Sequence, residues 1–439
     1  MSAATSLFFL ALLVRICFIF FQGSNLEQYL IEDELLYWKN SLDFLNTGEL
    51  NKDVLNERMP SIFIYYKILL WLTSNSLQYL LYIQAVIDSF SCFIIYKIAS
   101  LITPRQKLFV YASAVLSPLM IILSSQVLSE TIFLFFFTFF LYFTAKVSLE
   151  KYNLFVYIIF SGLFLGLATS IRSITFPLMF LSLIPLTVIF INKKVIRLKL
   201  CMLLSIFLFT ALLPISSRLI NNIKIHNSYS LTSQTGTHLA YWIAPTILAE
   251  SKNINRSEAI QIIKKEKPKY LFTDDAYKND VLLKKIGLKV LSEISLHKIL
   301  YLWGKGMIIN ISSPSILLDK KLRSLPHPSY YEIGDPVKWI RALVQKNTYH
   351  DYLMIILLAT ITSIFSIFSF IIGPIALYKQ NRFVFYLSLL YISYFLIITG
   401  PVLSPKYIFP ILPCIFLYQA ITLVKIKEAF YASFKKNKK

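Results

Sequence analysis

Acidic side chains are scarce in this chain: 23 Asp and Glu stand against 44 Lys and Arg among 439 residues. Charged residues make up only 15% of it, where a soluble domain averages about 25%. That shortage, set beside 56% hydrophobic residues, excludes an ordinary soluble domain. Cysteine is scarce too. The four, Cys17, Cys92, Cys201 and Cys414, each fall inside an apolar run and form no CxxC pair, so neither a disulfide nor a zinc site is supported. There is no GxSxG, HExxH, P-loop or GxGxxG pattern, which removes the common motif-bearing hydrolases and nucleotide binders. No internal repeat or low-complexity tract stands out, and the roughly ten-residue alternation of a membrane β-barrel is missing.

What is present is a series of apolar runs about 20 residues long, enough to cross a bilayer as helices. The chain is therefore expected to be an all-α polytopic membrane protein with about 10 membrane-spanning helices. The runs lie at 3–21, 76–101, 108–126, 128–147, 153–171, 174–191, 199–219, 351–378, 383–401 and 407–424. No A-x-A-like cleavage site follows the first run, which reads as an uncleaved span. The formal charge of +21 would suggest nucleic acid in a soluble protein. Here the cations gather in short joints, 103–107, 192–199 and 379–382, and in the tail 425–439. The opposite joints, around Ser129, Ser173 and Ser404, carry at most one cation each. The positive-inside bias puts the basic joints and the tail in the cytoplasm, so the bilayer, not nucleic acid, is the expected partner. The location expected is a multi-pass position in a cell membrane, read as a bacterial inner membrane.

Segment 296–318 is apolar but contains His297, Lys298, Lys305, two glycines and a proline. A crossing there would turn 379–382 and the tail outward, against the charge bias, so it reads as interfacial or re-entrant. The expected organisation is an N-terminal membrane module (1–219) with a first outer loop (22–75), an exoplasmic region (220–350), C-terminal membrane helices (351–424) and the cytoplasmic tail (425–439).

The first outer loop opens with QYLIEDELLYWKN (28–40). Leu35, Trp38, Leu42 and Leu45 recur at helical spacing, which predicts an amphipathic surface helix ending at Gly48. A second surface helix is expected after Pro60. Glu32, Asp33 and Glu34 suit a helix start, where acids gain about 0.3–1 kcal/mol from the macrodipole and Asp is a favoured N-cap. Glu34, however, stands one turn before Trp38 on the apolar stripe, and a carboxylate there needs a partner or a task.

Arg58, Glu130, Arg172 and Lys406 fall at the same outer level. A single cation at a span end ordinarily snorkels to head groups. Several converging with a carboxylate pair fit a phosphate, whose simplest source at a membrane is a lipid. Arg15, Asp88 and Lys97 lie deeper, and the last two read as intramembrane pairing or snorkelling. No cofactor is required. Glu57 and His238 are the two outer residues that could meet at a divalent metal, although a lone outer-loop histidine is more often a hydrogen-bonding group. His226, His297, His327 and His350 show no ligand spacing. The lysines of IIKKEKPKY (262–270) read as a solvated helix face, with docking of an anionic acceptor as the functional option.

These segments resemble a family. DELLYWKNSLDFLNTGEL (33–50) resembles the Asp-Glu-x-x-Tyr motif in the first outer loop of GT-C glycosyltransferases, closest to the protein O-mannosyltransferase and aminoarabinose transferase-like branch. NERMPSIFIYY (56–66) is similar to that branch's Arg-Pro-Pro segment, with Met59 in place of the first proline. SETIF (129–133), GLFLGLATSIRSITF (162–176) and PISSRLINNIKIHNSYSLTSQTGTHL (214–239) fall in the family's order. KYIFPILP (406–413) resembles the closing Arg-Tyr-x-x-Pro-x-x-Pro motif, with Lys406 replacing arginine and losing its bidentate fork. The resemblance covers about residues 1–425, but 250–350 carries no matching motif.

The resemblance implies a GT-C-like fold and an inverting transfer of a sugar from a polyprenyl-phosphate donor at the outer membrane face. The acceptor would be a lipid-linked glycan, a lipid A-like lipid or a protein. It implies Asp33 as general base with Glu34 as its helper. Arg58, Arg172 and Lys406 would hold the donor phosphate, and Tyr37, Glu57, Glu130, Tyr407 and His238 would line the substrate site. Two other readings stand beside it. A transporter or flippase of lipid-linked sugars would favour paired repeats with broken helices. A polysaccharide polymerase or ligase would not need the acidic helix directly after the first span.

Overall fold

The structure is a computed structural model that describes residues 3–23, 26–150, 152–266, 272–328, 333 and 336–436. Among the described residues there are helices and turns and no strand. Nine helical segments among the described residues are long and apolar enough to cross a membrane, so the chain is a polytopic membrane protein.

The first pass is α1 (Ala3–Gln22). Three short helices follow: α2 (Glu32–Thr47), α3 (Lys52–Glu57) and α4 (Pro60–Leu72). Pro60 opens α4, where its fixed φ suits a first turn and its missing N–H costs nothing. α4 buries Ile62, Phe63, Tyr66, Leu69 and Leu70, with α2 laid against it, and exposes Ile64, Ile68, Trp71 and Leu72 on its other face.

Next comes α5 (Leu77–Ile102), then α6 (Lys107–Val115) and α7 (Pro118–Ser124), then α8 (Glu130–Leu149) and α9 (Leu154–Ile171). The straight span expected over 108–126 is instead broken, α6 and α7 meeting at a 47° bend. The cause is local: Pro118 has no N–H to continue α6, and Ser117 caps the new helix by accepting from Met120 N at 3.4 Å. The run Ser173–Asn192 holds α10 (Phe176–Leu181) and α11 (Leu183–Asn192). The run Arg197–His226 holds α12 (Arg197–Leu212) and α13 (Ser216–His226). The last three apolar runs are Asn347–Gln380, Arg382–Thr399 and Pro405–Phe430. Helix continues from the last run to Lys436, through most of the stretch read as a tail.

Between Arg197–His226 and Asn347–Gln380 lie α14 (Thr235–His238), α15 (Ala244–Lys252), α16 (Arg256–Glu266), α17 (Ala276–Ser292) and α18 (Leu296–Ser312). They carry their own small core around Ala240, Ile247, Ile263, Ile286 and Val290. The lysine-rich stretch 262–270 is only partly visible, since 267–271 lie outside the described residues.

α18 covers most of segment 296–318 and docks beside the turn before the last helix: Asn310 donates to Val402 O and accepts from Ser404 N, both at 2.9 Å.

A fully buried ion pair crosses the bundle between the first two passes. Arg15 Nε donates to Asp88 Oδ2 at 2.8 Å, and its other nitrogens reach Val115 O (2.8 Å) and Ala114 O (3.1 Å). Both side chains are inaccessible, so each charge depends on the other. Asp88 is thus paired, with Arg15, while Lys97 Nζ sits 5.2 Å from the centre of the Phe93 ring.

Candidate functional site

The site begins with α2. Its N-cap is Ile31, not Asp33, which falls in the first turn together with Glu32 and Glu34. Glu32 takes φ 47°, a left-handed backbone that costs an ordinary residue about 1 kcal/mol. The helix stops where expected: Gly48 at φ 79° is the left-handed cap, its N–H donating to Phe44 O at 3.1 Å.

Because side chains one residue apart diverge by about 100° on a helix, Asp33 and Glu34 face different surroundings. Asp33 is half-exposed and meets two cations. Arg58 Nη2 donates to its Oδ1 at 3.0 Å, and Lys406 Nζ lies 3.9 Å from its Oδ2. A second pair sits alongside: Arg172, at the end of α9, donates to Glu130 Oε1 at 2.6 Å. Lys406 is also within electrostatic reach of Glu130, and Tyr407 of Arg172. Tyr37, one turn after Asp33, is buried against Phe63 and Tyr66, with ring centres 5.7 and 6.2 Å away. Burial raises its pKa, with Arg58 pulling the other way. His238, at the end of α14, completes the group. Its side chain is exposed at the edge of the cluster, yet the protein on its other side, then the cations Arg58 and Arg172, push its pKa below the usual histidine value, so its ring is neutral near neutral pH.

The structure therefore brings Asp33, Arg58, Arg172, Lys406, Glu130, Tyr37, Tyr407 and His238 to one place. Three cations face two carboxylates there, a surplus of one positive charge. Arg58 Nε is buried and has no partner among the described residues. A buried donor left unmatched costs about 1–3 kcal/mol, more for a charged group. An anion would lift that penalty.

Two expected members stand apart. Glu34 points away from Asp33's cations: it is buried and accepts a hydrogen bond from Lys320, while Val127 N–H also points to it. Burial still raises its pKa, with Lys320 opposing. The pair closes one side of a small open cleft lined by Gln22, Leu30, Leu77, Gln126 and Asp319. Glu57 is exposed at the end of α3 and makes no hydrogen bond or ion pair among the described residues. Glu57 and His238 do not form a metal-ligand group: no three His, Cys, Asp or Glu side chains converge among the described residues.

Sequence reasoning missed Lys320, Arg218 and Asp280. Lys320 carried one usable signal, since a buried Glu34 called for a cation somewhere. Arg218 and Asp280 gave none, because their partners, backbone atoms and the Tyr277 hydroxyl, lie in other segments of the chain. No family model, no curated protein and no solved structure matches the chain.

Proposed function

We propose that the chain is a GT-C-like glycosyltransferase of the protein O-mannosyltransferase and aminoarabinose transferase-like branch, acting at the outer face of the membrane. The observation that carries the reading is Asp33 gripped by Arg58 and Lys406, beside the Arg172–Glu130 pair. The surplus positive charge suits a lipid-linked phosphate, and Arg58 Nε supplies an unused donor for it.

The step balances simply. The acceptor oxygen attacks the anomeric carbon while the bond from that carbon to the phosphate oxygen breaks, inverting the centre. Asp33 takes the acceptor proton. The carrier leaves as a polyprenyl phosphate, whose new charge meets Arg58, Arg172 and Lys406. Before the donor binds, Arg58 and Lys406 rest on Asp33 and weaken it as a base. An arriving phosphate competes for both cations, so donor binding frees Asp33 for the proton. Base catalysis of this kind contributes about 10²–10⁴-fold. The acceptor is a lipid-linked glycan, a lipid A-like lipid or a protein.

The test compares polyprenyl-phosphate sugars by mass spectrometry in cells making wild-type protein or Asp33→Asn. A sugar carrier accumulating only in the variant identifies the donor. Unchanged lipid-linked sugars in the variant, with the protein folded in the membrane, would overturn the reading.

A further inference from the structure

The turn that carries His238 is tied down from three directions. Ser233 donates to Asn56 O through its N–H (2.9 Å) and its hydroxyl (3.0 Å), two residues before Arg58. Thr232 and Ser173 share a hydrogen bond of 3.3 Å, one residue after Arg172. Arg218 donates to Leu55 O and to Leu231 O, linking the start of this strap to the loop of Arg58. The strap over 231–238 therefore touches the backbone beside two of the three cations.

Its far end is held by Asp280 of α17. That carboxylate is buried, and Oδ1 accepts from Gly236 N at 2.6 Å and from Thr237 N at 3.4 Å. These are amides at the start of α14, where helix N–H groups lack partners of their own. The approach is close: a Cβ on Gly236 would stand 1.9 Å from Asp280 O. α17 in turn is packed into the separate core of the intervening region. Asp280 touches none of the cations, so its effect on the site passes through the strap.

We infer that Asp280 is a positioning residue: by clamping the Gly236–Thr237 amides it sets where His238 meets a substrate hydroxyl beside Arg58 and Arg172. The inference rests on the glycosyl-transfer reading. A neutral imidazole beside a cation cluster suits an uncharged hydroxyl-bearing group, while the cations take the phosphate. The intervening region thereby contributes a wall to the site.

The experiment uses the full chain in detergent or vesicles. Sugar-transfer rates are compared for wild type, Asp280→Ala, Asp280→Asn, His238→Ala and the Asp280→Ala/His238→Ala double variant. Hydrogen exchange of the strap is followed in parallel. Asn keeps an oxygen acceptor in the same place, so Asp280→Asn retains most activity. Asp280→Ala loses transfer by roughly 10- to 100-fold, the scale of an ångström-sized misplacement. The double variant falls no further than the worse single one, because both act through one group. In Asp280→Ala the 231–238 amides exchange faster while the membrane helices exchange as in wild type. Additive losses, or unchanged transfer in Asp280→Ala, would overturn the inference. Should even wild type transfer no sugar, the glycosyl-transfer reading fails. The clamp is then judged by exchange alone, and unchanged protection in Asp280→Ala removes it.

Discussion

Arg58 donates from Nη2 to Asp33 Oδ1 at 3.0 Å, so the proposed base rests against a proposed phosphate ligand. That contact makes the two roles compete, and it predicts opposite behaviour for two kinetic constants. Arg58→Gln removes a charge-assisted donor worth about 1.5–3 kcal/mol, so the KM for the lipid-phosphate donor rises by roughly tenfold or more. The same change releases Asp33 from its cation, so kcat falls less than kcat/KM does. Steady-state kinetics over a range of donor concentrations separates the two. An unchanged donor KM would take Arg58 out of phosphate binding.

The Glu34–Lys320 pair is predicted to act on stability rather than on chemistry. Glu34 is buried and its folded pKa lies above the ordinary carboxylate value, through burial. A carboxyl raised in the folded state contributes stability below its unfolded pKa and loses it as pH rises through the folded value. Removing Lys320 strips away the opposing charge and raises the folded pKa further. Lys320→Ala is therefore less stable than wild type at about pH 8 and recovers much of the difference at about pH 5. Thermal unfolding in detergent at both values reads this directly. Glu34→Gln in the same background removes the pH dependence. Equal loss at both values would mean that Glu34 is not the group being charged.

How much of this was legible in the sequence follows from the range of each interaction. Hydropathy marked the apolar runs, and helical spacing with Gly48 marked α2, since these are local properties. Arg172 and Lys406 could be brought to one level with Arg58 because each of those two sits at the end of a run, the runs alternate in direction, and Arg58 lies in the first outer loop. The 47° bend between α6 and α7 was missed although Pro118 stands in the sequence, because the run's hydropathy outweighed one residue. Glu34 was assigned to Asp33 through the resemblance to the Asp-Glu-x-x-Tyr motif, in which the two are adjacent. Its partner Lys320 lies 286 residues away, and no local pattern carries that distance. Asp280 escaped for the same reason, acting on the backbone of a turn in another part of the chain.

His238 should titrate low. Its pKa is lowered by its surroundings and by the charges of Arg58 and Arg172, so it is neutral through the neutral range and takes a proton only below the usual 6.5. Reaction of His238 with an acylating reagent, followed by peptide mass spectrometry against pH, gives its midpoint. The midpoint lies below 6.5 in wild type and moves upward in Arg58→Gln, because one repelling cation is gone. A midpoint unmoved by that substitution would place His238 outside the cluster's field.

The deep pair between Arg15 and Asp88 makes the last prediction. Arg15 is 0% exposed and so is Asp88, which leaves neither charge any access to water or head groups. Arg15 also serves Val115 O and Ala114 O, carbonyls at the end of α6 that the bend leaves without helical partners. Arg15→Met alone strands a buried carboxylate and two carbonyls, and costs about 3–5 kcal/mol. Asp88→Leu alone strands the guanidinium, though its carbonyl partners remain, so its cost is the smaller of the two. The double variant Arg15→Met/Asp88→Leu removes both charges and regains most of the loss. It does not reach wild type, because the two carbonyls stay unmatched. Thermal unfolding of the four proteins in detergent gives the coupling directly. Simple additivity of the single losses would show that the two groups act apart.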